Sequence, residues 1–415
     1  MSNNNQEPEN SWHSLEKLTA FLKEQMSQAT QSLNRWLSAG SGVNFLISNT
    51  KIAFSELKEI NTILTEISKT NDTLSKSHLS EIADNSFDTA GKYGKSAADY
   101  LTGVLEASRA GYKNAEEIAE LSLAAQTAGG ITAKLADQYI MATNNAYQFG
   151  GSVEKLTKVL DGSNYIANQN ALNMADLAEG MSIVGSTAAS FGVDANETAA
   201  ALGAMIAATQ QSGSEAANAL NTVLLLIRQV TDVEKGIDAE GLARYKNACD
   251  ALNVHLEKTR NGIVSLRDPM EVLKDLSAEY NKLDASDSRR TNLLDSVGGE
   301  QNAVQFDALL RQWDTYETML QQYATGTGSM AAEAEKTADS WEGSLNRIGN
   351  TWKSTMNNIV DSDAVITAVN GLNGLLSVVN TVTDKLGALG TIGLSAGLFA
   401  GVRNTGKCRI SVRIS

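Results

Sequence analysis

Apolar positions in the N-terminal part of the chain recur at a helical spacing. From Ala53 they fall at Ala53, Leu57, Ile60, Leu64, Ile67 and Leu74, with Asn71 in the remaining slot, so the steps alternate four and three. Such a seam predicts a helix that pairs along one face with another helix. Asn71 reads either as a register-fixing seam residue or, more simply, as a solvated side chain near a helix end. Leu15, Leu18, Leu22, Met26, Ala29, Leu33 and Trp36 repeat the spacing earlier. Residues 1–10 are therefore expected to be a disordered leader, and residues 11–82 coiled-coil-like helices.

Over residues 83–300 the pattern changes to short apolar helices divided by glycine at Gly111, Gly129-Gly130, Gly150-Gly151, Gly192 and Gly213. Several divisions carry a helix-start signal. Ser96 with Asp99, Asn114 with Glu117, Asn173 with Asp176 and Asp194 with Glu197 place a capping oxygen three residues before a carboxylate, which satisfies amides of the first turn. Helices of roughly 15 to 18 residues joined by tight turns fold back on each other, so a compact bundle is expected. The run Val223–Ile227 is far shorter than the ~20 residues needed to span a bilayer and reads as core, the other reading being a groove for a partner. Ala199, Ala200, Ala201, Gly203 and Ala204 leave room for larger side chains of a neighbouring helix.

The helical period breaks near residues 252–267. Val254, His255 and Leu256 stand opposite Ile263, Val264 and Leu266 across a turn holding Asn261-Gly262, which predicts a β-hairpin. Asp268, Pro269 and Glu271 then start a helix, because Asp caps and Pro suits the first helical position. Over 301–362 long helices are expected, first with Phe306, Leu309, Leu310, Trp313 and Leu320, then with a second seam at Trp341, Leu345, Ile348 and Trp352. The stretch YATGTGSMAAEAEKTADS between them reads as either a linker or a helix start. Residues 363–402 are apolar and rich in glycine. Within them Leu386–Val402 is 17 uncharged residues, at the lower edge of the bilayer-spanning range, and Gly393, Gly397 and Gly401 repeat every fourth residue as in packed membrane helices. Residues 403–415 are a short basic tail. The expected fold class is mainly α: a compact multi-helix core with one small β-hairpin, flanked by long heptad-patterned helices and a Gly-rich apolar C-terminal segment.

Composition supports long helices. The 415 residues include two prolines, Pro8 and Pro269, where average usage gives roughly twenty, so few helices are forced to break. Lys and Arg total 34 against 48 Asp and Glu, a net charge of −14, which is the wrong sign for a chain that neutralises nucleic-acid phosphates. Cys249 and Cys408 follow no metal or redox spacing, and MSNNNQEPENSWHSLEKL lacks the basic start and apolar run of a signal peptide.

Candidate chemistry is sparse. His13, His78 and His255 are scattered over distinct segments without metal-ligand spacing. Ser-x-x-Lys occurs at Ser14, Ser55 and Ser152, but without the companion motifs of serine acylases, and a serine starting a helix explains it. Phosphate-binding glycine loops and a nucleophile elbow are missing from the sequence. No enzyme activity, cofactor or bound metal is expected.

The segment EIADNSFDTAGKYGKSAADYLTGVLEASRAGY at residues 81–112 resembles the opening of the core region of phage tail tape-measure proteins. The next blocks, AEEIAELSLAAQTAGGITAKLADQYIMATNNAYQF, MADLAEGMSIVGSTAASFGVDANETAAALGAMI and SGSEAANALNTVLLLI, are similar to that family in the same order, and so are NGIVSLRDPMEVL, LLDSVGGEQNAVQFDALL and SWEGSLNRIGNTWKSTMNNIV. The resemblance covers about residues 50–400. It implies a virion structural protein in the tail-tube lumen that sets tail length during assembly and takes part in genome ejection. The implied partners are a few parallel copies of itself, the tail tube protein and tail assembly chaperones, with a host membrane during ejection and no sequence-specific nucleic acid. The other reading of the residues is a membrane-active, channel-forming protein working through the apolar C-terminal segment. Family members usually continue well past the glycine-rich segment, so GVRNTGKCRISVRIS is expected to be a truncation end.

Overall fold

In the computed structural model residues 59–70, 74–232, 237–260, 263–340 and positions 343, 346 and 350 are described. The chain divides into two compact units, Met1–Thr62 with Ile348–Ser415, and Ile63–Arg347. Nearly all described residues belong to the second unit; residues 59–70 are helical and are labelled α1.

Local chemistry sets the helix starts. α2 (Lys76–Lys92) and α3 (Ala97–Arg109) begin at Ser75 and Ser96, whose hydroxyls accept the amides of His78 and Asp99. At Ser96 the Asp99 carboxylate accepts the Ser96 amide in return, at 3.1 Å. α8 (Ala195–Thr209) and α9 (Gly213–Ile227) carry the same reciprocal box, at Asp194 with Glu197 and at Ser212 with Glu215. The other two expected boxes do not form. Asn114 makes no cap bond to α4 (Ala115–Gly129) and donates instead to Glu117 and to the Gly151 carbonyl. Asn173 caps α7 (Met174–Ser190) through Ala175, while Asp176 accepts from Gly213 at 3.3 Å. Ser152 accepts the Lys155 amide and starts α6 (Val153–Gln169), so that Ser-x-x-Lys is a helix cap. Thr132 does the same for α5 (Ala133–Ala146).

Glycine divides these helices largely as expected. Gly111, Gly130, Gly150, Gly151 and Gly192 all have positive φ, which places them in turns. Gly213 acts otherwise: it is the first residue of α9, and a Cβ there would collide with the carbonyl oxygen of Asp176. The absent side chain lets α7 and α9 touch at that end.

The core is α9 and its neighbours. Val223, Leu224, Leu225, Leu226 and Ile227 are all buried, so the apolar run is core, each such side chain contributing about 1.5–3 kcal/mol by leaving water. α9 packs on α7 and α13 (Glu300–Arg311), and α8 packs on α14 (Trp313–Thr325), α7 and α13. Ala199, Ala200, Ala201, Gly203 and Ala204 lie on α8, the four alanines fully buried. A Cβ on Gly203 would sit 2.8 Å from Met319 Sδ of α14, which shows how the small residues admit the neighbouring helix. α3 pairs with α4, and α5 with α7.

The hairpin is present but displaced. β1 (Glu257–Arg260) pairs antiparallel with β2 (Ile263–Leu266), with Thr259 opposite Val264 and Arg260 opposite Ile263. Val254 and Leu256, expected in the first strand, are 2% and 3% exposed and belong to the core after α10 (Ala239–Ala251). Their burial against the body outweighs pairing, so the ribbon starts at Glu257. Asn261 and Gly262 lie outside the described residues. Asp268 accepts the amides of Met270 and Glu271, and Pro269 opens α11 (Pro269–Tyr280). α12 (Ser288–Ser296) comes next and packs on α10.

Past residue 300 the described helices are shorter than the apolar spacing predicts. α13 and α14 have 12 and 13 residues and meet at Gln312, and both fold back onto α8. The undecided YATGTGS stretch is a helix start: Gly328 has φ 80°, and α15 (Ser329–Ala338) begins there, packed on α4 and α6.

Candidate functional site

Of the seam residues, Ile60 and Ile67 on α1 are buried, 2% and 0% exposed, and Leu64 is half-buried. Leu57, Trp341, Leu345, Ile348 and Trp352 lie outside the described residues, as do Gly393, Gly397 and Gly401. An Arg109–Glu66 ion pair at 3.7 Å ties α1 to α3.

Among the described residues Cys249 and several tyrosines are buried. Cys249 is fully buried, and burial pushes its thiol up to about 12, far from the thiolate needed of a nucleophile. Burial likewise raises the hydroxyl of Tyr245 beside it well above its ordinary value. Burial, with the Glu120 charge second, likewise lifts Tyr93, whose hydroxyl donates to Glu120 at 3.1 Å. Tyr147 is pushed up to about 12 by burial and bonds Thr198. Among the described residues no group of His, Cys, Asp or Glu is arranged to hold a metal ion, and no helix is long and apolar enough to cross a membrane.

The most built polar arrangement is a clasp on Asp161. This α6 carboxylate is 3% exposed, and it accepts the amides of Gly328 at 2.7 Å and Met330 at 2.9 Å. Its backbone carbonyl accepts the Ser329 hydroxyl at 3.0 Å, and Asn164 donates to the same hydroxyl at 3.0 Å. Asp161 therefore caps α15 from another helix, its negative charge at the positive end of the α15 dipole. Gly328 in the left-handed region turns its amide inward. On the neighbouring turn a Cβ on Gly162 would meet the Tyr323 ring at 2.5 Å, so α14 is also seated there. Sequence spacing does not show this clasp, because its partners are 167 and 169 residues apart. The sole local signal is a charged Asp-Gly pair between the buried faces of an otherwise amphipathic helix.

Two surface features stand out. A depression of about 350 Å³ at α2, α3 and α4 is lined by Asp88, Glu116, Glu117, Glu120, Lys92 and Tyr100. Lys92 lies 3.5 Å from Glu120, and His78 Nε2 lies 3.3 Å from Glu116, which leaves the rim predominantly acidic. The hairpin is its opposite in charge and shape: a projecting ribbon with Lys258 and Arg260 exposed, and Ile263 and Val264 70% and 60% exposed.

Capped helices that cross at small residues, with one two-stranded ribbon, define a mainly α protein. Residues 86–299, just over half of the chain, match the family model of phage-related minor tail proteins, and the chain belongs to that family. It is thus a phage tail component. The matched span begins inside α2 and ends just before α13. No solved structure matches the chain.

Proposed function

We propose that this tail protein is a tape-measure protein, lying in the tail-tube lumen, setting tail length during assembly and leaving with the genome. Membership of the minor tail family supports the setting, and the ordered blocks from residue 81 onward carry the finer reading. The heptad spacing of Leu57, Ile60, Leu64 and Ile67, and of Trp341, Leu345, Ile348 and Trp352, suits a rod of a few parallel copies once Ile60 and Ile67, which are buried within the single chain, are released from it. Helix rise makes such a rod a ruler: at ~1.5 Å per residue, 415 residues span about 620 Å if wholly helical, and a compact core shortens that reach. Partners on this reading are the tube protein, assembly chaperones and further copies of the chain. An in-frame deletion within a heptad region of the phage gene is expected to shorten tails in electron micrographs; tails of unchanged length overturn the proposal.

The sequence of Leu386–Val402 supports a second role at the host membrane during ejection, with Gly393, Gly397 and Gly401 as the packing face. Liposome leakage caused by the full chain is expected to vanish on deleting that segment. Leakage that persists removes this role.

A further inference from the structure

We propose that the β1–β2 ribbon docks on the acidic depression at α2–α4 of a second copy of this chain, making a head-to-tail contact. Directly opposed residues of a ladder share a face, so Lys258, Ser265, Arg260 and Ile263 stand together on one side of the ribbon. Among the described residues neither Lys258 nor Arg260 has an ion-pair partner. In a chain of net charge −14, this face therefore concentrates two cations around an exposed isoleucine. An isolated two-stranded ribbon is marginal in water, and β2, Ile-Val-Ser-Leu, carries no charge or proline to blunt its edge. Something is expected to cover it.

The occupant is identified by charge and shape. The depression offers four carboxylates, Asp88, Glu116, Glu117 and Glu120, beside Tyr100, a concave acidic complement to a convex cationic ribbon with an apolar tip. Because ribbon and depression are different patches, the contact is heterologous and builds a ring of a few copies or a line of them, not a two-fold pair. So small a contact is weak, and it forms where copies are crowded. The inference rests on the tail reading only for that crowding.

Carbodiimide coupling tests it, since the reagent joins an amine to a carboxylate only when the two touch. In an equal mixture of unlabelled and isotope-labelled full-length chain, mixed-isotope links are expected between Lys258 and the peptides holding Asp88 or Glu116–Glu120. K258E/R260E and D88K/E117K change exposed positions, and circular dichroism checks that both variants fold. D88K/E117K alone is expected to lose the mixed links at Lys258 by at least about tenfold; K258E/R260E has no coupling amine at 258 and serves only as the partner that supplies a native depression, so that mixing the two is expected to restore the links. Net charge alone predicts otherwise: D88K/E117K moves the chain from −14 to −14 + 4 = −10, which weakens general repulsion and raises association. Absence of mixed links at Lys258 in the native chain, stronger linking in D88K/E117K, or no restoration on mixing overturns the proposal. None of these outcomes bears on tail length, so the two readings fail separately.

Discussion

Asp161 is a buried charge whose partners are amides. Truncating it leaves the Gly328 and Met330 amides without acceptors inside the protein, and each such orphan costs about 1–3 kcal/mol. D161A is thus expected to lower stability by about 2–4 kcal/mol in denaturant unfolding and to speed hydrogen exchange at residues 328–330, while D161N retains part of the loss. Gly213 and Gly203 form a contrasting pair. A Cβ at Gly213 runs into the Asp176 carbonyl, which is backbone, whereas at Gly203 it meets the end of the flexible Met319. G213A is expected to destabilise strongly, by more than about 3 kcal/mol, and G203A by about 1 kcal/mol, with thermal melting as the check.

Titration gives a third residue-scale expectation. Burial, with the Asp194 and Asp268 charges adding, raises the Glu197 carboxyl above its ordinary value of 4.5. The folded state then binds the proton more tightly than the unfolded one, so Glu197 lowers stability as pH rises through its folded pKa, and the deficit is absent below 4.5. Gln keeps the capping geometry without the charge. The stability of E197Q relative to the native chain is expected to increase from pH 4.5 toward neutrality. A flat difference between the two unfolding free energies across that interval contradicts it.

At the scale of elements, the same apolar residue type has opposite consequences. Ile67 on α1 is fully buried, and I67A is expected to cost about 2–5 kcal/mol, whereas Ile263 and Val264 on the ribbon are 70% and 60% exposed, and I263T/V264T is expected to leave melting within about 0.5 kcal/mol. Where the sequence was legible, short-range chemistry decided the element. Val223–Ile227 reads as core because it is too short for a bilayer and too apolar for a surface, and Asp268-Pro269 reads as a helix start because both residues act within one turn. The hairpin was legible as an element but not in register, since Val254 and Leu256 have strand-like side chains that the body claims. The break at Gln312 had no local mark, because Phe306, Leu309, Leu310 and Trp313 keep an unbroken helical spacing across it. The Asp161 clasp was invisible for a related reason: what Asp161 contacts is set by how α6 and α15 meet, and no local pattern encodes that. The ribbon's cationic face was legible in composition, as Glu-Lys-Thr-Arg, yet only the ladder shows which residues stand beside Lys258.

For the whole molecule, a ruler and a packed core respond differently to deletion. If heptad regions do the measuring, removing two heptads from one shortens the tail by about 21 Å at the helical rise, and longer deletions scale in proportion. Removing α8 instead deletes a helix that packs on α6, α7, α13 and α14, so the expected result is loss of soluble protein and of tails, with no graded shortening. Tail lengths from a deletion series separate these cases. The net charge of −14 sets copies against one another in general, so the proposed ribbon contact has to draw on local charge.

The clasp also fixes how the molecule yields under tension. Were the chain beyond α15 pulled, load would enter that helix at Ala338 and reach Ser329, Gly328 and the Asp161 carboxylate anchored in α6 only at its far end. Resistance there would come from pulling the Gly328 and Met330 amides off Asp161 and Tyr323 off Gly162. On the proposed tape-measure reading, that catch is where the bundle's grip on α15 would be lost.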